Sequence, residues 1–177
     1  MIDSVPHRVM PQYPKFVWWH AAVFLLVVNI PGSLVGFRDE LYPGYRVPPL
    51  RPPAELFPFI WLGINICTLW AGLRILNNRN LNRRPIHIGL QAAFWLDFAI
   101  FPYFFFGQSS PVLGGLLTML IFVVAAAECA LLWRDDRKAA YLMMPLVAWG
   151  AFAGLYASTW QMFFNADPYL GTAALLG

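Results

Sequence analysis

The sequence predicts an all-α integral membrane protein, a bundle of five transmembrane helices. Three observations carry that prediction. Of the 177 residues, 59% are hydrophobic and only 12% are charged, with a mean hydropathy of +0.57. Soluble domains average about 45–50% apolar and roughly 25% charged residues. Five apolar stretches each reach roughly 20 residues, the length a helix needs to cross ~30 Å of hydrocarbon. A closed barrel, the other spanning solution, needs segments of about ten residues that alternate polar and apolar, and none is present.

The spans are expected at about 16–36, 54–76, 86–106, 112–133 and 139–164. With short loops they use nearly the whole length, so one membrane domain over 1–177 is expected. The first span is too long for a signal-peptide core, and no small-residue cleavage site with a soluble domain behind it follows. The second is entered from Pro52-Pro53 and leaves through Arg74. The third starts after Arg83-Arg84 and ends at the turn Gly107-Gln108-Ser109-Ser110-Pro111. Pro111 is well placed to open the fourth, since proline suits a first helical turn. Arg134-Asp135-Asp136-Arg137-Lys138 separates the fourth from the fifth. Turns this short make sequential helices antiparallel neighbours.

Charge sets the orientation. Arg8 and Lys15, then Arg74, Arg79, Arg83 and Arg84, then Arg134, Arg137 and Lys138 fall on one side of the five spans; Arg38, Arg46 and Arg51 fall on the other. That bias places the first group in the cytoplasm. The expected location is a bacterial inner or intracytoplasmic membrane, with the N-terminus cytoplasmic and the C-terminus outside. The net charge of +3 is thus a matter of topology and lipid headgroups, not of nucleic acid. The two cysteines, Cys67 and Cys129, sit inside spans and read as small core residues, with no metal-ligand spacing. Phosphate-binding glycine loops, nucleophile elbows and HExxH are missing, so no catalytic residue is assigned and the chain reads as a non-enzyme.

The connection from Phe37 to Pro53 differs from the others. It holds five prolines, two tyrosines and five charges. Proline fixes φ and removes a donor, so the segment is neither helical nor loose. It either covers a cavity between helices or serves as a solvated connector. Within the spans, Asp97 stands near the middle of the third, where a charge costs at least ~2.5–3.5 kcal/mol and faces the bundle interior or a cavity. It reads as a ligand or proton contact, a contact to a partner subunit, or a hydrogen-bonded acid joining helices. Glu128 lies nearer the Arg134 end and can snorkel. Asn29, Asn65 and Gln91 are helix-joining amides or ligand contacts. His20 and His87 read as interfacial. Trp18, Trp19 and Trp133 fit an interface belt. Trp61, Trp70, Trp95, Trp149 and Trp160 lie in or near span interiors, where they either pack the bundle or line a cavity for a flat aromatic ligand.

The order of several short motifs resembles the TspO/MBR family of tryptophan-rich sensory proteins, also called translocator proteins. The residues that carry the resemblance are Pro52-Pro53 with Phe57 and Trp61, then Gln91, then Phe105-Phe106-Gly107, then Pro145, Trp149, Phe152 and Ala153. It covers about residues 48–165. The resemblance implies a five-helix bundle, often dimeric, that binds porphyrins, sterols or aromatic drug-like molecules under its first loop. Trp61 and Trp149 would line that pocket, and the segment from Tyr45 to Pro53 would be its lid. Departures from the family pattern are Trp95 and Ala157 where asparagines are usual, and Phe98 where a tryptophan is usual.

Two functions follow as expectations. The first is a membrane-embedded protein that binds a hydrophobic or tetrapyrrole ligand in the bundle, in a sensory or transport role. Its ligand contacts would be Trp61, Trp149, Trp95, Gln91, Asp97, Tyr45 and Asn65, and porphyrin or another tetrapyrrole is the ligand the resemblance implies. The second is a non-catalytic accessory subunit of a respiratory or photosynthetic complex, touching partner helices, pigments or quinones. Membrane lipids and a hydrophobic small molecule are partners of the first; a homodimer partner or other subunits complete the set.

Overall fold

The computed structural model describes residues 15–38 and 40–176. Arg8 and Asp39 of the charge pattern, and the terminal Gly177, lie outside them. The described residues form five helices long and apolar enough to cross a membrane: α1 (Trp18–Val35), α2 (Ala54–Asn77), α3 (Arg84–Gly107), α4 (Pro111–Asp135) and α5 (Arg137–Phe164). No strand occurs among them, only an isolated bridge between Asp167 and Thr172.

Local chemistry explains the helix ends. Ser110 caps α4 by accepting from the Leu113 N–H, with Pro111 in the first turn. Asp136 caps α5 by accepting from the N–H groups of Lys138 and Ala139. It is the only residue between α4 and α5, so both helices reach further into the expected five-residue turn than hydropathy suggests. Charged residues extend a helix past the apolar core as readily as they end it. The Arg84 side chain donates to the carbonyls of Ile75 and Leu76, which closes the C-terminus of α2. α1 is broken at Asn29 into Trp18–Val28 and Ile30–Val35, because Pro31 supplies no N–H to the turn before it.

The two ends of the bundle gather different connections. At one end the N-terminal segment meets α2 through paired bonds between the Phe16 backbone and the Asn77 side chain. There Arg74 pairs with Asp136 at 2.9 Å and Arg83 with Asp135 at 2.7 Å. At the other end lie the first loop, the α3–α4 turn and the C-terminal tail. Ser109 Oγ donates to the Leu41 carbonyl, and Asp167 accepts from Ser110 Oγ and the Val112 N–H.

Two expectations about residues toward the Arg74–Asp136 end need correction. His87 is not interfacial: it is fully buried, with Nε2 3.0 Å from Asp135 Oδ2. Glu128 does not snorkel; it is fully buried and accepts from Gln91 Nε2 with both oxygens. A carboxylate two turns from the helix end has a nearer partner in the facing helix than in the headgroup region. The same Gln91 accepts from Trp95 Nε1 through Oε1. Polar groups in this half of the bundle are therefore largely joined to one another.

α4 and α5 pack with almost no space between backbones. A Cβ on Gly150 would sit 3.1 Å from Phe122 Cα, and one on Gly154 would sit 3.2 Å from the Thr118 carbonyl oxygen. Small residues one turn apart permit this approach in lipid, where van der Waals contact drives helix association. Beyond Gly150 the chain widens into π-helical geometry over Ala151–Ser158, and α3 does the same over Tyr103–Gly107. Both wide turns lie in the half of the bundle that carries the first loop.

Candidate functional site

The wide turns border a cavity of about 570 Å³. That falls within the ~300–1,000 Å³ range of small-molecule sites. All five helices contribute wall residues, and the first loop contributes the roof through Tyr45, Val47, Pro48 and Arg51. The prolines of that loop hold an extended path that a helix or a loose chain would not keep.

Aromatic rings form the body of the wall. Trp61 of α2 meets Trp149 of α5 with ring centroids 6.3 Å apart and meets Phe98 of α3 at 5.3 Å. Trp149 also touches Phe57 at 5.6 Å and Phe152 at 5.7 Å. These tilted and edge-to-face contacts make the wall an aromatic, apolar surface. Ala153 and Ala157 lie on the same wall and are small, which leaves the room that larger side chains on α5 would fill.

Of the seven residues picked from sequence as ligand contacts, four lie on this wall: Tyr45, Trp61, Asn65 and Trp149. Gln91, Trp95 and Asp97 do not. Gln91 and Trp95 sit one turn apart on α3, joined by the bond from Trp95 Nε1 to Gln91 Oε1. There Gln91 joins α3 to Glu128 of α4 and to Met143 of α5. Trp95 packs against Phe24 and Phe94 as well as Phe98. Asp97 precedes Phe98, so helical geometry turns it about 100° from the residue that reaches the cavity. It is 3% exposed, and neither carboxylate oxygen has a protein partner. Burial inside its own bundle also keeps it from meeting a partner subunit's helix.

Sequence reasoning missed the device that fixes the roof. Asn165, just past α5, accepts from the Arg46 N–H at 2.7 Å and donates to the Arg46 carbonyl at 2.9 Å. Tyr42 donates its hydroxyl to the Ala166 carbonyl. The tail, which had no reading from sequence, ties the first loop down across 119 residues of chain. The prolines left the loop open between cavity cover and solvated connector, and the lid role came from the resemblance; the anchor had no signal, because two amide bonds leave no periodic pattern.

The family model described as "TspO/MBR family" matches residues 21–163, most of the chain and all five helices. The chain belongs to the TspO/MBR family. A curated relative is Protein CrtK of Rhodobacter capsulatus, 29% identical over 126 residues that take in 68% of this chain and 77% of the relative. The TspO/MBR membership and the five apolar helices together make this a multi-pass membrane protein. Most of the residues that carried the resemblance line the cavity: Pro52, Phe57, Trp61, Phe105, Phe106, Trp149, Phe152 and Ala153 do, whereas Pro53, Gln91, Gly107 and Pro145 do not. Of the positions that depart from the TspO/MBR pattern, Phe98 and Ala157 are on its wall, whereas Trp95 is in the core beneath it.

Proposed function

We propose that this TspO/MBR protein binds a hydrophobic or tetrapyrrole ligand inside the bundle, in the cavity under the first loop, and acts there without chemistry of its own, as a sensor or carrier. The observation that carries the reading is the aromatic cavity itself, roofed by a proline-stiffened loop that the tail holds in place. A cavity of this size lined by aromatic rings and a few polar atoms is what a flat, drug-sized molecule requires. Orientation belongs to the same reading: the Arg- and Lys-rich end faces the cytoplasm and the roofed cavity opens toward the other side. The membrane concerned is then a bacterial inner or intracytoplasmic one.

The test uses protein in lipid nanodiscs, titrated with protoporphyrin IX while tryptophan fluorescence is followed. Saturable quenching is expected, because Trp61 and Trp149 stand on the wall. Trp149→Ala removes a ring that touches Trp61, Phe57 and Phe152, and weakens binding at least tenfold. Binding that is unaltered in both Trp61→Ala and Trp149→Ala refutes the site. Extraction in mild detergent supplies a second check: a small species that takes up porphyrin agrees with the reading, and a large pigmented assembly overturns it in favour of an accessory subunit.

A further inference from the structure

At the Arg- and Lys-rich end of the bundle the cations fall into two groups. In the first, each has its partner within the protein. Arg74 pairs with Asp136 and Arg83 with Asp135, and Arg84 donates to the carbonyls of Ile75 and Leu76. These contacts engage both aspartates of the α4–α5 junction. Asp135 also meets His87, and Asp136 also caps α5. The second group is Arg134, Arg137 and Lys138, which flank the same two aspartates in sequence. All three are exposed, and their side chains have no hydrogen bond or ion pair among the described residues. Three positive charges thus stand within five residues, across the ends of two helices, while the adjacent carboxylates are turned to other partners.

An aromatic step adjoins these charges. Trp133, in the last turn of α4, meets Tyr141 of α5 edge to face with ring centroids 5.2 Å apart. Both rings are exposed, at 42% and 58%. Arg137 and Lys138 precede Tyr141 by four and three residues, so their stems share its face of α5 and stand about 5 Å nearer the end of the bundle. Tryptophan and tyrosine settle at the boundary between headgroups and acyl chains. One turn outward from that boundary is the level of the phosphates. A soluble anion would need the charges alone, and an acidic protein surface would have no use for rings at membrane depth. A phospholipid uses both steps, and basic pockets between transmembrane helices suit anionic headgroups.

We propose that the α4–α5 junction holds an anionic phospholipid. Its phosphates are drawn to Arg134, Arg137 and Lys138, and its glycerol and first acyl carbons lie on Trp133 and Tyr141. Three cations exceed what one phosphodiester neutralises, so a headgroup with two phosphates is preferred. The site is at the end of the bundle away from the first loop and shares no residue with the cavity wall, so it stands whatever the cavity binds.

Native mass spectrometry of the full chain, released from detergent and titrated with phospholipids of matched acyl chains, tests it. The wild-type protein is expected to retain diphosphatidylglycerol about tenfold more tightly than phosphatidylcholine, with phosphatidylglycerol between them. One cation near an anionic headgroup strengthens the hold about fivefold. Lys138→Gln should weaken diphosphatidylglycerol by that factor, and joint replacement of Arg134, Arg137 and Lys138 by Gln should remove the preference over phosphatidylcholine. Trp133→Ala should weaken all three lipids severalfold. Lys15→Gln, which removes an exposed charge from the same end of the protein, should leave retention unaltered. Equal retention of the three lipids by the wild-type protein overturns the proposal and needs no variant to fold. A loss in Lys15→Gln as large as in Lys138→Gln also overturns it, because the attraction is then spread over the whole basic end. Displacement of the lipid by millimolar glycerol 3-phosphate overturns it as well, since the charges then hold a soluble phosphate and the aromatic step has no part.

Discussion

Replacing Asn165 by alanine is expected to release the roof without unfolding the bundle. The side chain makes two bonds to the Arg46 backbone, at 2.7 and 2.9 Å, and a third to the Gln161 carbonyl at 3.1 Å. The third lies within one turn at the end of α5 and does not touch the loop. The two cross-chain bonds are the part that closes the roof. At about 1 kcal/mol each, with a further charge for the Arg46 groups left unpaired, closure loses about 2–3 kcal/mol. That raises the open population of the loop by a factor of about 30–150. Hydrogen exchange in nanodiscs reads this directly: the Arg46 amide, whose partner is removed, and the Tyr45 amide, which donates to the Tyr42 carbonyl, exchange faster by that factor. Amides in the middle of α4 keep their wild-type rate. Asn165→Asp separates the two bonds, because it keeps the acceptor for Arg46 N–H and loses the donor. The reasoning is refuted if loop exchange in Asn165→Ala matches the wild type. A uniform rise across all helices refutes it equally, since Asn165 would then hold the whole fold.

Other outcomes follow from the same structure. Gln91→Leu removes the amide that joins Glu128, Trp95 and Met143 and leaves a buried acid unpaired. It should destabilise the bundle by about 2–4 kcal/mol, seen as a lower thermal midpoint in detergent and larger than that of Trp149→Ala. Gly154→Leu drives a side chain into the Thr118 backbone, 3.2 Å from where its Cβ would stand. Because backbone cannot yield as a side-chain tip can, folded yield after extraction should fall sharply, with Gly63→Leu as the control in open space. Alkaline pH gives a third test. Burial raises the Tyr45 pKa, so above the unfolded tyrosine value of about 10 the native state holds a proton that the unfolded state has lost. Stability is then fully present below pH ~10 and falls as pH rises beyond it. Tyr45→Phe should flatten that fall, with Tyr42, also raised, supplying the remainder.

The five helices were legible in the sequence because the bilayer imposes one length and one composition on every span. Between α4 and α5 the boundaries differ by two residues on each side because charge was read as turn: Asp135 and Arg137 are helical, and Asp136 alone is the cap. Burial of His87 and Glu128 escaped notice for a related reason. Distance from a helix end sets the depth of a polar residue, but its partners are set by the facing helix, and the Asp135–His87 and Glu128–Gln91 pairs join residues 48 and 37 positions apart. Trp61 and Trp149 were found through motif order, which already encodes which helix faces meet. Trp95 was chosen for its residue type and depth, and depth alone does not say which side of α3 it occupies.

The cavity sits in one half of the bundle because two packing regimes meet near the level of Trp61 and Phe98. In the half that carries the Arg–Asp pairs, those pairs and the Gln91 junction tie α3, α4 and α5 together. In the other half, Gly150 and Gly154 hold α5 hard against α4, and the cavity is lined by all five helices. The wide turns at Tyr103–Gly107 and Ala151–Ser158 add a residue to each local turn and shift the rings of Phe105, Phe106 and Phe152 around the opening. Each element that creates the space is itself closely packed or hydrogen-bonded, from the glycine contacts to the tail's hold on the loop. A packing defect of this size would collapse around soft side chains, since cavities cost stability in proportion to their volume. Here the walls are braced from outside, and two of the buried polar atoms without a protein partner, Tyr45 Oη and Asn65 Oδ1, are on the wall. That combination supports a space held open for an occupant.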